Sequence, residues 1–111
     1  GDDAALLDRD QTFSAALVAL GEAAVALGDR AHLDTLLAHL EPLSGRWSWT
    51  GSCTLGPVDT TLAGLVALTG DLDRACVLGH AAADAARRLG APRFEASARD
   101  RLQELEVRRP R

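Results

Sequence analysis

Trp47 and Trp49 stand two residues apart and are the only tryptophans in the chain of 111 residues. In an extended segment residues i and i+2 point to the same side, so the pair would form one aromatic face able to anchor a partner. The rings could instead fold back, with at least one filling a groove between helices. Burying ~200 Å² of aromatic surface at ~25 cal/mol/Å² contributes about 5 kcal/mol, comparable to the whole stability of a small domain.

The other residues with reactive side chains are less suggestive. His32 and His39 are seven apart and share one helical face, but a zinc site wants three or four ligands, and no HExxH pattern or i,i+4 histidine pair accompanies them. They read as surface histidines beside a leucine stripe. His80, set among alanines, reads as a partly buried, hydrogen-bonded side chain. Cys53 would need a neighbouring base or a helix N-terminus to become a reactive thiolate, and no histidine is near it in sequence. Cys76, beside Ala75, reads as a small core residue. Asp59, Asp71 and Asp73 fall in the opening turns of helices, where a carboxylate accepts unpaired N–H groups and meets the helix dipole favourably, so capping accounts for them. A GxxxxGK[ST] phosphate loop is absent. No catalytic residue, metal site or cofactor is assigned, and the expected function is not enzymatic.

Helices must carry these positions. The apolar residues are mostly Ala and Leu, with no Tyr or Met and few β-branched side chains, so sheet is not expected. Residues 1–9 form a leader. Phe13, Leu17, Leu20, Ala24 and Leu27 step along one face of a first helix that Gly28–Asp29 stops. Leu33, Leu36, Leu37, Leu40 and Leu43 mark a second helix, antiparallel to the first across a short turn, and residues 10–43 make the first helix pair. Residues 44–57 lack a helical period and contain Gly45, Gly51, Gly56 and Pro57, which predicts a loop. With Pro57 at its first position, a third helix carries Val58, Leu62, Leu65 and Leu68. A fourth, about Leu72 to Leu89, turns small residues inward at Ala75, Ala82, Ala85 and Ala86, so that 58–89 make a second pair. Residues 93–107 form a polar capping helix with a thin stripe of Phe94, Ala98, Leu102 and Leu105.

The whole is one all-α domain, since 111 residues are too few for two cores. Net charge is −4, all twelve basic residues are Arg, and no basic stripe exists to follow a phosphate backbone, so direct nucleic-acid binding is disfavoured. The clusters Arg87–Arg88 and Arg108–Arg109–Pro110–Arg111 read as solvated helix ends. Two cysteines without CxxC spacing suggest a reducing compartment, and no apolar run approaches the ~20 residues that span a bilayer. The opening Gly1–Asp2–Asp3 is no signal peptide, and the expected location is cytoplasmic.

Placing Gly28–Asp29 over Gly70–Asp71 gives an offset of 42, under which Leu20 falls on Leu62, Gly21 on Ala63, Ala24 on Val66, Leu33 on Ala75 and Leu40 on Ala82. Both copies resemble the tetratricopeptide pattern of a large and a small residue in the first helix, a Gly–Asp turn and an apolar second helix. That resemblance implies about five helices in antiparallel pairs, coiled as a right-handed superhelical stack. Three runs carry a closer likeness: Arg9–Asp10 leading into Phe13 through Asp29, Leu36 through Arg46, and Gly56–Pro57–Val58–Asp59 leading to Ala86–Arg87–Arg88–Leu89–Gly90–Ala91–Pro92. In this order they resemble the C-terminal helical-repeat region of large actinobacterial signalling ATPases, which are LuxR-type transcriptional regulators or adenylate-cyclase-linked proteins. The likeness covers about residues 9 to 105. It implies a regulatory or sensor module that binds a protein, a peptide, a small ligand or other domains of the same polypeptide, and a start at Gly1 without Met fits a piece of such a regulator. A structural role, in which the repeats form a homodimer or space other domains, is the alternative. Trp47, Trp49 and the inner helix faces are the expected interaction surface.

Overall fold

The computed structural model describes residues 16–50 and 53–108, and at 49, 50 and 53–55 the backbone alone. The expected leader 1–9, the start of the first helix and the terminal 109–111 lie outside the described residues. Those described form five α-helices and one two-stranded sheet: α1 (described over 16–27), α2 (Leu33–Leu40) with a 3-10 turn at Glu41–Leu43, β1 (Trp47–Thr50), β2 (Cys53–Pro57), α3 (Val58–Leu68), α4 (Leu72–Arg88) and α5 (Pro92–Arg108). The expectation of a mostly helical chain built from packed helix pairs is met.

Leucine spacing decides the first pair. Leu33, Leu36 and Leu40 recur at three and four residues on α2 and are buried, clustering with Leu17, Val18 and Ala24 of α1. α3 has no wet face of comparable width. Val58, Leu62 and Leu65 pack with the first pair, while Ala63, Val66 and Ala67 pack with α4 and α5. It therefore belongs to both apolar clusters, which makes it the central element. On α4 the inward residues are Ala75, Gly79, Ala82, Ala83 and Ala86, small enough to let the axes of its neighbours come close. A Cβ on Gly79 would stand 2.7 Å from Leu102 Cδ2 of α5. Ala98, Leu102 and Leu105 complete that side.

The helix stops fall where expected: Gly28 and Gly70 have φ of 65° and 95°, and the Asp29 N–H donates to the Ala24 carbonyl at 2.9 Å. Asp71 caps α4 by accepting from the Arg74 N–H at 3.1 Å.

Three expectations are corrected. Residues 44–57 are not a loop throughout, because β1 and β2 pair antiparallel, with Trp47 opposite Pro57 and Thr50 opposite Cys53. The run Trp-Ser-Trp-Thr alternates aromatic and small polar residues, which suits a pleated strand, and two-residue Gly51–Ser52 spacing suits a hairpin. Pro57 is the last residue of β2 and the N-cap of α3 rather than its first helical residue. Asp59 does not cap its own helix. It is buried, and its carboxylate accepts from Ser44 Oγ at 2.6 Å and from the Gly45 N–H at 3.2 Å, pinning the turn after α2 onto α3.

Candidate interaction cleft

The base of the hairpin is held where α3 begins. The Val58 N–H donates to the Arg46 carbonyl at 2.9 Å, and Asp59 holds Ser44 and Gly45 beside it. From that base β1 carries Trp47 onto α5, where its ring meets Phe94 edge to face, with centroids 5.8 Å apart and planes at 88°. Gly56, opposite Ser48 on β2, lies under the same ring: a Cβ there would stand 2.7 Å from Phe94 Cδ1, and its φ of 96° also favours glycine. Trp47 is thus half-buried as a brace for Phe94. The Trp49 side chain lies outside the described residues.

Phe94 forms one wall of a cleft of about 250 Å³ to which three helices contribute: Val18 and Glu22 from α1, Thr60 and Thr61 from the first turn of α3, and Arg93, Phe94 and Ser97 from α5, with Pro57 at the edge. Thr61 Oγ1 donates to Glu22 Oε2 at 2.7 Å, and Arg101 Nη2 donates to Glu22 Oε1 at 2.7 Å. Each carboxylate oxygen therefore holds one donor, and the charge of Glu22 is met by Arg101, whose side chain is only 14% exposed. To reach Glu22 from α5, Arg101 crosses α3 at Gly64, where an added Cβ would collide with Nη1. That glycine is what lets a guanidinium lie between the helices.

Two cleft groups keep binding capacity. The Thr60 hydroxyl is buried without a hydrogen-bond partner, and the Arg93 guanidinium makes no ion pair with a described residue. Ser97 Oγ is engaged with the Arg93 carbonyl at 3.2 Å. The cleft presents an apolar wall, one hydroxyl, one cation and the Glu22 carboxylate held by Arg101, an arrangement suited to binding.

The remaining candidates lie apart from it. His32 and His39 are exposed on the far side of the first pair, and no group of His, Cys, Asp and Glu able to hold a metal ion occurs among the described residues. His80 departs from the expectation of partial burial. It is 62% exposed, with Nε2 3.7 Å from Glu106 Oε1, because its step along α4 falls on the outer side of the alanine stripe. Cys76 is buried in the core as expected, and the side chain of Cys53 lies outside the described residues. Glu22, Thr60, Thr61, Arg93, Ser97 and Arg101 were not singled out from sequence, since they lie up to 79 residues apart and only packing brings them together. No helix is long and apolar enough to cross a membrane among the described residues.

Comparison with protein-family models, with curated proteins and with solved structures finds no match, so the chemistry of the cleft rests on its own geometry.

Proposed function

We propose that this chain is a non-catalytic interaction module, regulatory or sensory within a signalling or transcription-regulating ATPase, and that it takes a peptide segment of a protein partner in the cleft between α1, α3 and α5. The observation that carries this reading is the cleft itself, in which an apolar wall of Val18, Pro57 and Phe94 stands beside the unpartnered Thr60 hydroxyl and the Arg93 cation. A volume of about 250 Å³ is below the ~300–1,000 Å³ usual for drug-sized ligands, and suits one side chain with its adjacent backbone. The matching segment carries an apolar residue next to an acidic one. A tetratricopeptide-like right-handed stack is supported by the positive-φ glycines at 28 and 70 and by the first helix of each pair meeting α5 in one cleft. The likeness to repeat regions of signalling ATPases supplies the regulatory setting.

The test is an amide-resolved NMR titration of the chain with two short extended peptides, one bearing a Leu–Glu core and one a Leu–Lys core. The Leu–Glu peptide is expected to shift the amides of Thr60, Thr61 and Ser97, and Arg93→Glu to weaken its binding by roughly 10-fold, the scale of one charge-assisted contact. Equal response to both peptides, or none at these amides, would sink the reading.

A further inference from the structure

Phe94 is a wall of the cleft, but the residues that hold its ring stand outside the cleft. The Phe94 backbone is fixed in the first turn of α5, where its N–H donates to the Ala91 carbonyl at 3.1 Å, so it is the ring whose position its neighbours set. Trp47 meets that ring edge to face, with centroids 5.8 Å apart. Gly56 passes so close that an added Cβ would stand 2.7 Å from Cδ1 and 3.2 Å from Cε1. Neither Trp47 nor Gly56 lines the cleft, so both bear on the ring from sides other than the one that faces a ligand.

The backbone that carries these two contacts is itself tied down. The Arg46 carbonyl, next to Trp47, accepts from the Val58 N–H at 2.9 Å, and Asp59 holds Gly45 at 3.2 Å. The strand pairing shifts register between Ser48 and Trp49, beside the Ser48–Gly56 pair, so β2 carries one residue more than β1 there. Such bulges re-aim a strand next to a functional site, and the Gly56 φ of 96° belongs to that bend. A firm stop behind the ring matters to a space of about 250 Å³, because packed sites respond to volume changes as small as one methylene. In a binding pocket one methylene is worth about 10- to 200-fold in discrimination.

We propose that Trp47 and Gly56 are positioning residues that set the size selectivity of the cleft, holding Phe94 forward so that the site takes an aliphatic side chain and excludes an indole. The inference rests on the peptide reading of the cleft and names which apolar residue the peptide carries. The bound side chain touches Phe94 and neither of the two residues behind it. Trp47→Ala leaves space behind the ring, into which a larger bound side chain can press Phe94. Gly56→Ala drives the ring the other way, since its Cβ claims the place the ring edge occupies. The two substitutions therefore move selectivity in opposite directions. A merely structural role for the hairpin would lower all affinities together.

Titration with three extended peptides that differ only in the apolar residue, Ala–Glu, Leu–Glu and Trp–Glu, tests it by amide-resolved NMR. The unaltered chain is expected to bind Leu–Glu most tightly. Trp47→Ala is expected to raise the affinity for Trp–Glu relative to Leu–Glu by roughly 10-fold, with Trp47→Phe changing the ratio less, and Gly56→Ala to favour Ala–Glu over Leu–Glu by a similar factor. Should Gly56→Ala not fold, the two Trp47 variants decide alone. A second measurement needs no peptide. Gly56→Ala adds no ring of its own, so a displaced Phe94 ring current is expected to shift the methyl resonances of Val18 across the cleft while circular dichroism keeps the helical signal. Unmoved Val18 methyls in a folded variant would overturn the proposal, as would an unaltered chain that takes Trp–Glu as tightly as Leu–Glu. Binding with unchanged ratios in the variants removes the selectivity and leaves the peptide reading standing, whereas no binding by any peptide removes both.

Discussion

Arg101 reaches Glu22 only because residue 64 has no side chain. The Cβ of Gly64→Ala would meet the guanidinium and stand 2.8 Å from Val25 Cγ2, so either Arg101 withdraws from Glu22 or α1 moves off α3. Overpacking of this kind costs about 1–3 kcal/mol, and urea denaturation of Gly64→Ala is expected to show a loss in that range. Unchanged stability would mean that Arg101 swings out freely. Asp59 gives a second residue-scale prediction. Asp59→Ala leaves the Ser44 hydroxyl and the Gly45 N–H without their acceptor, for about 1–3 kcal/mol, and Asp59→Asn, which keeps one carbonyl oxygen, should lose less. If both variants lose equally, volume rather than hydrogen bonding is what Asp59 contributes. The types of these residues were plain in the sequence, but their partners were not. A carboxylate in the first turn of a helix predicts a cap, and Asp59 departs from that because the turn after α2 happens to lie within its reach.

The hairpin is the element whose placement matters most to the cleft. The sequence predicts a loop there because four glycine and proline breakers outweigh a strand run of only four or five residues. The aromatic alternation of Trp47 and Trp49 with a two-residue connection was the signal available, and it is weak at that length. Its attachment rests on the Trp47–Phe94 pair, and such pairs contribute about 0.5–1.5 kcal/mol beyond the area they bury. Trp47→Ala is therefore expected to raise amide hydrogen exchange across Trp47–Thr50 and Cys53–Pro57 while α4 keeps its protection. Equal acceleration in α4 would show that the ring supports the whole core. Gly56→Ala should act on the same contact from below, with added backbone strain from its positive φ. α5 behaves as its sequence implied: its thin apolar stripe is buried, and its outer surface is charged, with Arg99 holding Glu95 at 2.7 Å.

At the scale of the molecule, α3 ties two apolar clusters into one. Leu62→Ala should cost about 2–5 kcal/mol, and because α3 also packs on α4 and α5 the loss is expected in a single unfolding transition followed by both tryptophan fluorescence and circular dichroism. Separate transitions would show that α1–α2 and α3–α5 fold independently. The helix pairs, their Gly–Asp stops, the buried Leu33, Leu36, Leu40, Leu62 and Leu65 and the polar outer side of α5 were determined by the sequence alone. Those features follow from residues three or four apart or from single turns, which a local period specifies. The tertiary structure alone decided that Trp47 braces Phe94, that Arg101 crosses Gly64 to meet Glu22, that His80 faces solvent and that Leu20 and Leu27 are not buried among the described residues. Each of these depends on which helix lies beside which, and that is set by the sum of many long-range contacts rather than by any local pattern.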